Sequence, residues 1–271
     1  MSFGEKLAAA VARTRSLLCI GLDPDPARLP VADPLIFCRE IIAATRDLAC
    51  CYKPNAAFFE QYGAAGFAML EQLRLAIPPE TPALLDAKRG DIGSSSAAYA
   101  RAVFDVLGYD AVTVSPYLGS DGVAPFLERP DCTAFILCRT SNPGAADLQE
   151  LRVARPDGVL RPLYEIVAEL ARSWNRHGNV GLVVGATAPA ELSTIRRLCP
   201  DQPILVPGIG VQGGEVARAV AAGRAEDPSR LLITVSRAVL YASSGGDWLA
   251  AARRAAERYH AEIAAAAGLT S

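Results

Sequence analysis

The chain holds 271 residues, of which 51% are hydrophobic and 21% charged, with a formal net charge of −2. That is ample material for a sizeable core and excludes a disordered-type composition. The near-neutral balance gives no general field for a nucleic-acid polymer or an anionic membrane, so any anionic ligand has to be held by a few local groups. In chain order, the opening Met1-Ser2-Phe3-Gly4-Glu5-Lys6 has neither the basic flank nor the apolar core of a signal peptide. No apolar stretch approaches membrane-spanning length, and a cytosolic protein is expected. Short apolar runs follow at Leu17–Gly21, Cys50–Lys53, Ala83–Asp86, Ala111–Val114, Ala134–Cys138, Val180–Val184, Ile204–Val206 and Leu231–Val235. Helical patterns fall between or after them at Phe58–Ile77, Ser95–Leu107, Leu163–His177, Ala190–Leu198, Val216–Ala222 and Asp247–Ala266.

Strands alternating with helices imply a parallel sheet, and eight such units imply a (β/α)8 TIM barrel, which typically takes about 250 residues. A doubly wound open sheet is the other arrangement the pattern allows. No linker rich in Pro, Gly or Ser divides the chain, so residues 1–271 read as one domain. The stretch Pro143–Pro162 reads as a long loop with at most a short helix. Seven cysteines, an odd number without C-x-x-C spacing, sit mostly in or beside apolar runs and read as buried hydrophobes in a reducing compartment.

A barrel enzyme draws its active site from the carboxyl ends of its strands. Here strand one ends in Gly21-Leu22-Asp23, strand two in Tyr52-Lys53-Pro54-Asn55, and strand three in Asp86-Ala87-Lys88-Arg89-Gly90-Asp91. Strand alternation aims Asp86 and Lys88 at one face, with Asp91 following in the loop. A structural ion pair would explain one such pair, but Lys or Asp at three successive strand ends argues for chemistry. Strand four ends blandly in Ser115-Pro116-Tyr117, strand five runs into Thr140-Ser141-Asn142-Pro143-Gly144, and strand eight into Ser236-Arg237.

After strand seven, Gly208-Ile209-Gly210-Val211-Gln212-Gly213-Gly214 offers backbone N–H groups suited to a phosphate, and Arg237 on the next strand adds a planar fork of donors. The string matches G-x-G-x-x-G but does not open a dinucleotide-binding unit. Both histidines, His177 and His260, fall in predicted outer helices. A transition-metal site or a His-assisted nucleophile is therefore poorly supported, and lysine and aspartate must carry the reaction.

These residues resemble a known family. The array Asp86-x-Lys88-x-x-Asp91, Lys53, Thr140-Ser141-Asn142-Pro143-Gly144-Ala145, the turn with Gln212, and Arg237 look like orotidine 5′-phosphate decarboxylase. The stretches Asp86–Gly93 and Thr140–Gly144 look like its type 2 bacterial branch. The resemblance implies conversion of orotidine 5′-monophosphate to uridine 5′-monophosphate and CO2, in pyrimidine synthesis, without cofactor or metal. It implies that Lys88 protonates a C6 carbanion within a network of Lys53, Asp86, Lys88 and Asp91. It further implies a homodimer in which Asp91 and Ile92 come from the partner subunit. Asp23 and Lys53 would contact ribose, Ser141 the pyrimidine, and Gly210, Gln212, Ser236 and Arg237 the phosphate, with Gln212 also reaching the base. Ser95 stands where the family often has a threonine that makes a cross-subunit contact.

A metal-dependent phosphosugar barrel, either a hexulose-phosphate synthase or a pentulose-phosphate epimerase, would resemble the same array or turn. Lys53 and the Ser141 motif favour a pyrimidine instead. A catalytically idle nucleotide-binding barrel is the remaining alternative, and nothing missing from the array supports it.

Overall fold

The computed structural model describes residues 1–155, 158–210 and 214–269. Its main sheet has eight parallel strands: β1 (Leu18–Leu22), β2 (Cys51–Pro54), β3 (Leu84–Arg89), β4 (Ala111–Val114), β5 (Thr133–Arg139), β6 (Val180–Val184), β7 (Ile204–Val206) and β8 (Leu231–Val235). β1 pairs with both β2 and β8, and the ladder then runs through β7, β6, β5 and β4 to β3. Parallel bridges from Tyr52 to Ala83 and from Asn55 to Asp86 join β2 to β3. The two edges that an open sheet would leave therefore meet, and the architecture is the (β/α)8 barrel. Every residue of β1, β2, β4, β6, β7 and β8 is buried. Strands covered on both faces read as unbroken apolar runs, which is why they stand out in the sequence.

The helices differ more from expectation. The stretch predicted as one helix over Phe58–Ile77 is two, Ala57–Glu60 and Ala64–Ala76, broken where Gly63 takes a left-handed φ of 62°. Ser95–Leu107 becomes an α-helix, Gly93–Arg101, continued by a π-helical turn, Ala102–Val106. Leu163–Trp174 stops before His177, which lies in an exposed turn, whereas His260 sits in the final helix, Trp248–Ala267, against the carbonyl of Thr14 at 2.7 Å.

An unpredicted helix, Phe3–Thr14, begins with a reciprocal cap between Ser2 and Glu5. It closes the amino end of the barrel. The Phe3 N–H donates to the Asp131 carbonyl at 2.8 Å, and the Phe3 ring meets Phe135 edge-on at 5.6 Å. Further along the same floor, Arg196 is 7% exposed yet makes five hydrogen bonds, all to main-chain oxygens. The acceptors are Gly223, Cys199, Pro200, Gln202 and Arg230, which precede β7 and β8 or end neighbouring helices.

The segment after β5 is not plain loop. A 3-10 turn at Pro143–Asp147 is followed by an antiparallel hairpin, Arg152–Ala154 with Leu160–Pro162. Its strands are largely exposed and therefore lack the apolar alternation that marks a buried strand.

Candidate functional site

The charged array forms at the carboxyl ends of β2 and β3. Lys53 Nζ donates to Asp86 Oδ2 at 2.9 Å, and Lys88 Nζ donates to Asp86 Oδ1 at 2.6 Å, so one carboxylate bridges two ammonium groups. Lys53 is 3% exposed, while the Lys88 side chain is 49% exposed and stands at the barrel mouth. Burial opposes the Lys53 charge, but attraction to Asp86 and then Asp23 outweighs it and holds the ammonium pKa above its usual value. Burial alone would raise the Asp86 pKa. The two lysines reverse that and hold the carboxyl well below the ordinary carboxylate range.

Simple alternation does not produce this convergence. Leu85 aligns with Val112 and Arg89 with Val114, so three residues of β3, Asp86 to Lys88, lie opposite Thr113 alone. Lys88 takes up the excess with a left-handed φ of 48°. Its N–H donates to Thr113 Oγ1 at 2.9 Å, and the same hydroxyl donates to Asp86 Oδ1 at 2.9 Å. Thr113 was invisible as a site residue in the sequence, because β4 looked like an ordinary apolar strand.

Below the array lies a cavity of about 140 Å³. Asp23, Lys53, Asn55 and Asp86 line one side, with Gly208, Ile209, Thr234, Ser236 and Arg237 on the other. Asp23 Oδ1 and Thr234 Oγ1 are buried without a hydrogen-bond partner. Buried polar atoms are normally paired, so these two suit a ligand that carries hydroxyl groups. Thr234 and Asn55 are functional candidates only by position, since neither carries a charge that marks a strand end. Both could have been found from their place at or near the ends of strands that already carried Lys53 and Arg237.

The loop holding Asp23 is tied down by another unforeseen residue. Tyr241 Oη donates to the Asp23 carbonyl at 2.8 Å and accepts from the Asp25 N–H at 2.6 Å. Tyr241 lies one turn beyond Arg237, so the two strand ends are mechanically joined. Gly21 has no room for a side chain, since a Cβ there would fall 1.8 Å from Ser236 Oγ.

Other expected residues are placed differently. Ser141 sits beyond β5 with its backbone pressed against Gly185, and its carbonyl accepts from Thr187 Oγ1 at 3.5 Å. Gly210 has a left-handed φ of 81°. Gln212 lies outside the described residues. Asp91 and Ser95 line a separate outer groove with Arg89 and Tyr99, and Ile92 is 56% exposed. Among the described residues, no ion pair joins Asp91 to Lys53 or Lys88. Among those residues, too, no three His, Cys, Asp or Glu side chains gather as a metal-binding cluster, and no helix is long and apolar enough to cross a membrane.

Comparison with known proteins places this geometry. The family model described as "Orotidine 5'-phosphate decarboxylase / HUMPS family" matches residues 16–255. The orotidine 5′-phosphate decarboxylase of Roseiflexus castenholzii is 56% identical over 273 residues, covering 98% of each chain. That of Thermomicrobium roseum is 54% identical over 282 residues, covering 99% of each. Among solved structures, Leishmania donovani OMP decarboxylase superposes with a TM-score of 0.84 at 45% identity, covering 97% of this chain and 99% of that one. A Toxoplasma gondii structure titled as a putative orotidine-monophosphate decarboxylase gives a TM-score of 0.89 at 37% identity and 98% coverage of both. With a bridged Lys53–Asp86–Lys88 array, a barrel matched along nearly its whole length and relatives above half identity, the chain belongs to the orotidine 5′-phosphate decarboxylase / HUMPS family.

Proposed function

We propose that this protein, acting as one domain in the cytoplasm, decarboxylates orotidine 5′-monophosphate to uridine 5′-monophosphate and CO2 in pyrimidine synthesis. The observation that carries the reading is the single carboxylate of Asp86 bridging Lys53 and Lys88 above the cavity. Loss of CO2 leaves an electron pair in the plane of the pyrimidine ring, where the π system cannot absorb it. A fixed cation at that position lowers the barrier, and Lys88 supplies both the charge and the proton that C6 then takes up. Asp86 keeps that ammonium aimed and remains ionised itself. No cofactor enters this scheme. Seven free, buried cysteines support a reducing location.

Asp23 and Lys53 hold the ribose, with the unpaired Asp23 oxygen as acceptor for a sugar hydroxyl. Ser141 reads the pyrimidine. Gly210, Gln212, Ser236 and Arg237 hold the phosphate, and the position of Ser236 and Arg237 on the cavity wall supports that role. The working unit is a homodimer in which Asp91, with Ile92 and Ser95, serves the partner's site. Two facts support this: Asp91 faces an outer groove of its own chain, and Ile92 is exposed. There Asp91 would crowd the substrate carboxylate, a repulsion released as CO2 departs.

The test is the fall in orotate absorbance when purified protein meets orotidine 5′-monophosphate in the presence of a chelator. Steady conversion is expected. Absorbance that never falls, with folded protein present, would remove the reading.

A further inference from the structure

We propose that Thr113 is a positioning residue that holds the lysine–aspartate array in register, and this rests on the decarboxylase reading above. Three residues of β3 face this one residue of β4, so the regular ladder cannot supply a partner for the Lys88 N–H. Thr113 Oγ1 supplies it at 2.9 Å. That bond supports a lysine in the left-handed region, a conformation that disfavours a non-glycine residue and persists only when its surroundings enforce it.

The hydroxyl accepts from the Lys88 N–H through one lone pair, and because the ionised Asp86 carboxylate can only accept, its single proton goes to Asp86 Oδ1, also at 2.9 Å. Asp86 is thereby held from three directions: Lys53 on one oxygen, Lys88 Nζ and Thr113 on the other. With Thr113 only 1% exposed, no water competes for the hydroxyl. Thr113 thus fixes both ends of the Lys88 residue: the backbone directly, and the ammonium through the carboxylate it faces.

The decisive substitution is Thr113→Val, which keeps the shape and removes both hydrogen bonds. Loss of a hydrogen bond to a charged group predicts a fall in kcat of about tenfold to a hundredfold. KM and calorimetric affinity for uridine 5′-monophosphate should hold within about threefold, because the cavity walls are untouched. Thr113→Ser, which restores the hydroxyl, should recover most of kcat. The inference is overturned if the valine enzyme turns over like the wild type, if serine fails to rescue, or if product affinity falls in step with kcat.

Should the valine chain not fold, the same comparison runs between Thr113→Ala and Thr113→Ser. A wild-type enzyme inactive on orotidine 5′-monophosphate would instead sink the functional reading. In that event, amide hydrogen exchange at Lys88 still decides the matter. Loss of the Thr113 acceptor should speed exchange of the Lys88 N–H, and unchanged exchange overturns the inference.

Discussion

The two ends of the barrel each bury a positive charge, and they do so in opposite ways. At the floor, Arg196 is held by five main-chain oxygens, one on Nε, three on Nη1 and one on Nη2, with no carboxylate among these partners. Burial still lowers its pKa to about 10, which leaves it charged at neutral pH. At the mouth, Lys53 and Lys88 share one carboxylate, a half-exposed ammonium faces solvent, and nearby Asp23 and Thr234 keep buried oxygens unpaired. A charge held by main-chain oxygens alone is a structural cross-link. One whose surroundings leave acceptors open is arranged for something that arrives later.

The sharpest way to test this contrast is Lys88→Ala. A group that provides both charge stabilisation and the proton should cost about four orders of magnitude in turnover. Because the side chain is half exposed, circular dichroism and melting should barely change. Next in size, mixing Lys88→Ala with Asp91→Ala chains should restore activity through heterodimers with one intact site. Confirmed subunit exchange without recovered turnover would refute a shared site.

At the floor the pattern should invert. Arg196→Leu removes the donor from five carbonyls, three of them in buried bonds, and should cost about 3–5 kcal/mol in urea unfolding, with kcat per folded molecule unchanged. Asp86→Asn blurs the distinction, since it leaves Lys53 buried without its counter-charge and should cost about 3 kcal/mol at neutral pH. The folded Asp86 pKa lies below the unfolded one. Its contribution is therefore present above about pH 4 and is lost as pH falls through the folded value, so the gap between wild type and variant should close in acid. The smallest effect is expected from Ser95→Thr: one added methyl should shift KM by less than about tenfold and leave the fold alone.

How much of this was legible in the chain follows from what each element is covered by. Strands such as Val180–Val184 are buried on both faces and announce themselves as apolar runs. Lys53, Asp86 and Lys88 announced themselves as charges ending such runs. The hairpin at Arg152–Ala154 and Leu160–Pro162 gave no such signal, because its strands are exposed and one contains proline. The helix Phe3–Thr14 is marked in the sequence only by Ser2 and Glu5 at capping-box spacing. Thr113 and Tyr241 act through partners far along the chain, 25 and 27 residues away for the first and more than 200 for the second. Only a known register could reveal them. The bulge that brings Thr113 opposite Lys88 is a property of two strands together.

All seven thiols are free and buried, spread from β1 to the end of the helix before β7. Unfolding exposes them together, whereas the folded barrel shields every one. A coloured alkylating or disulfide-exchange reagent therefore becomes an internal clock: its uptake would time the opening of the barrel in each variant without any added label.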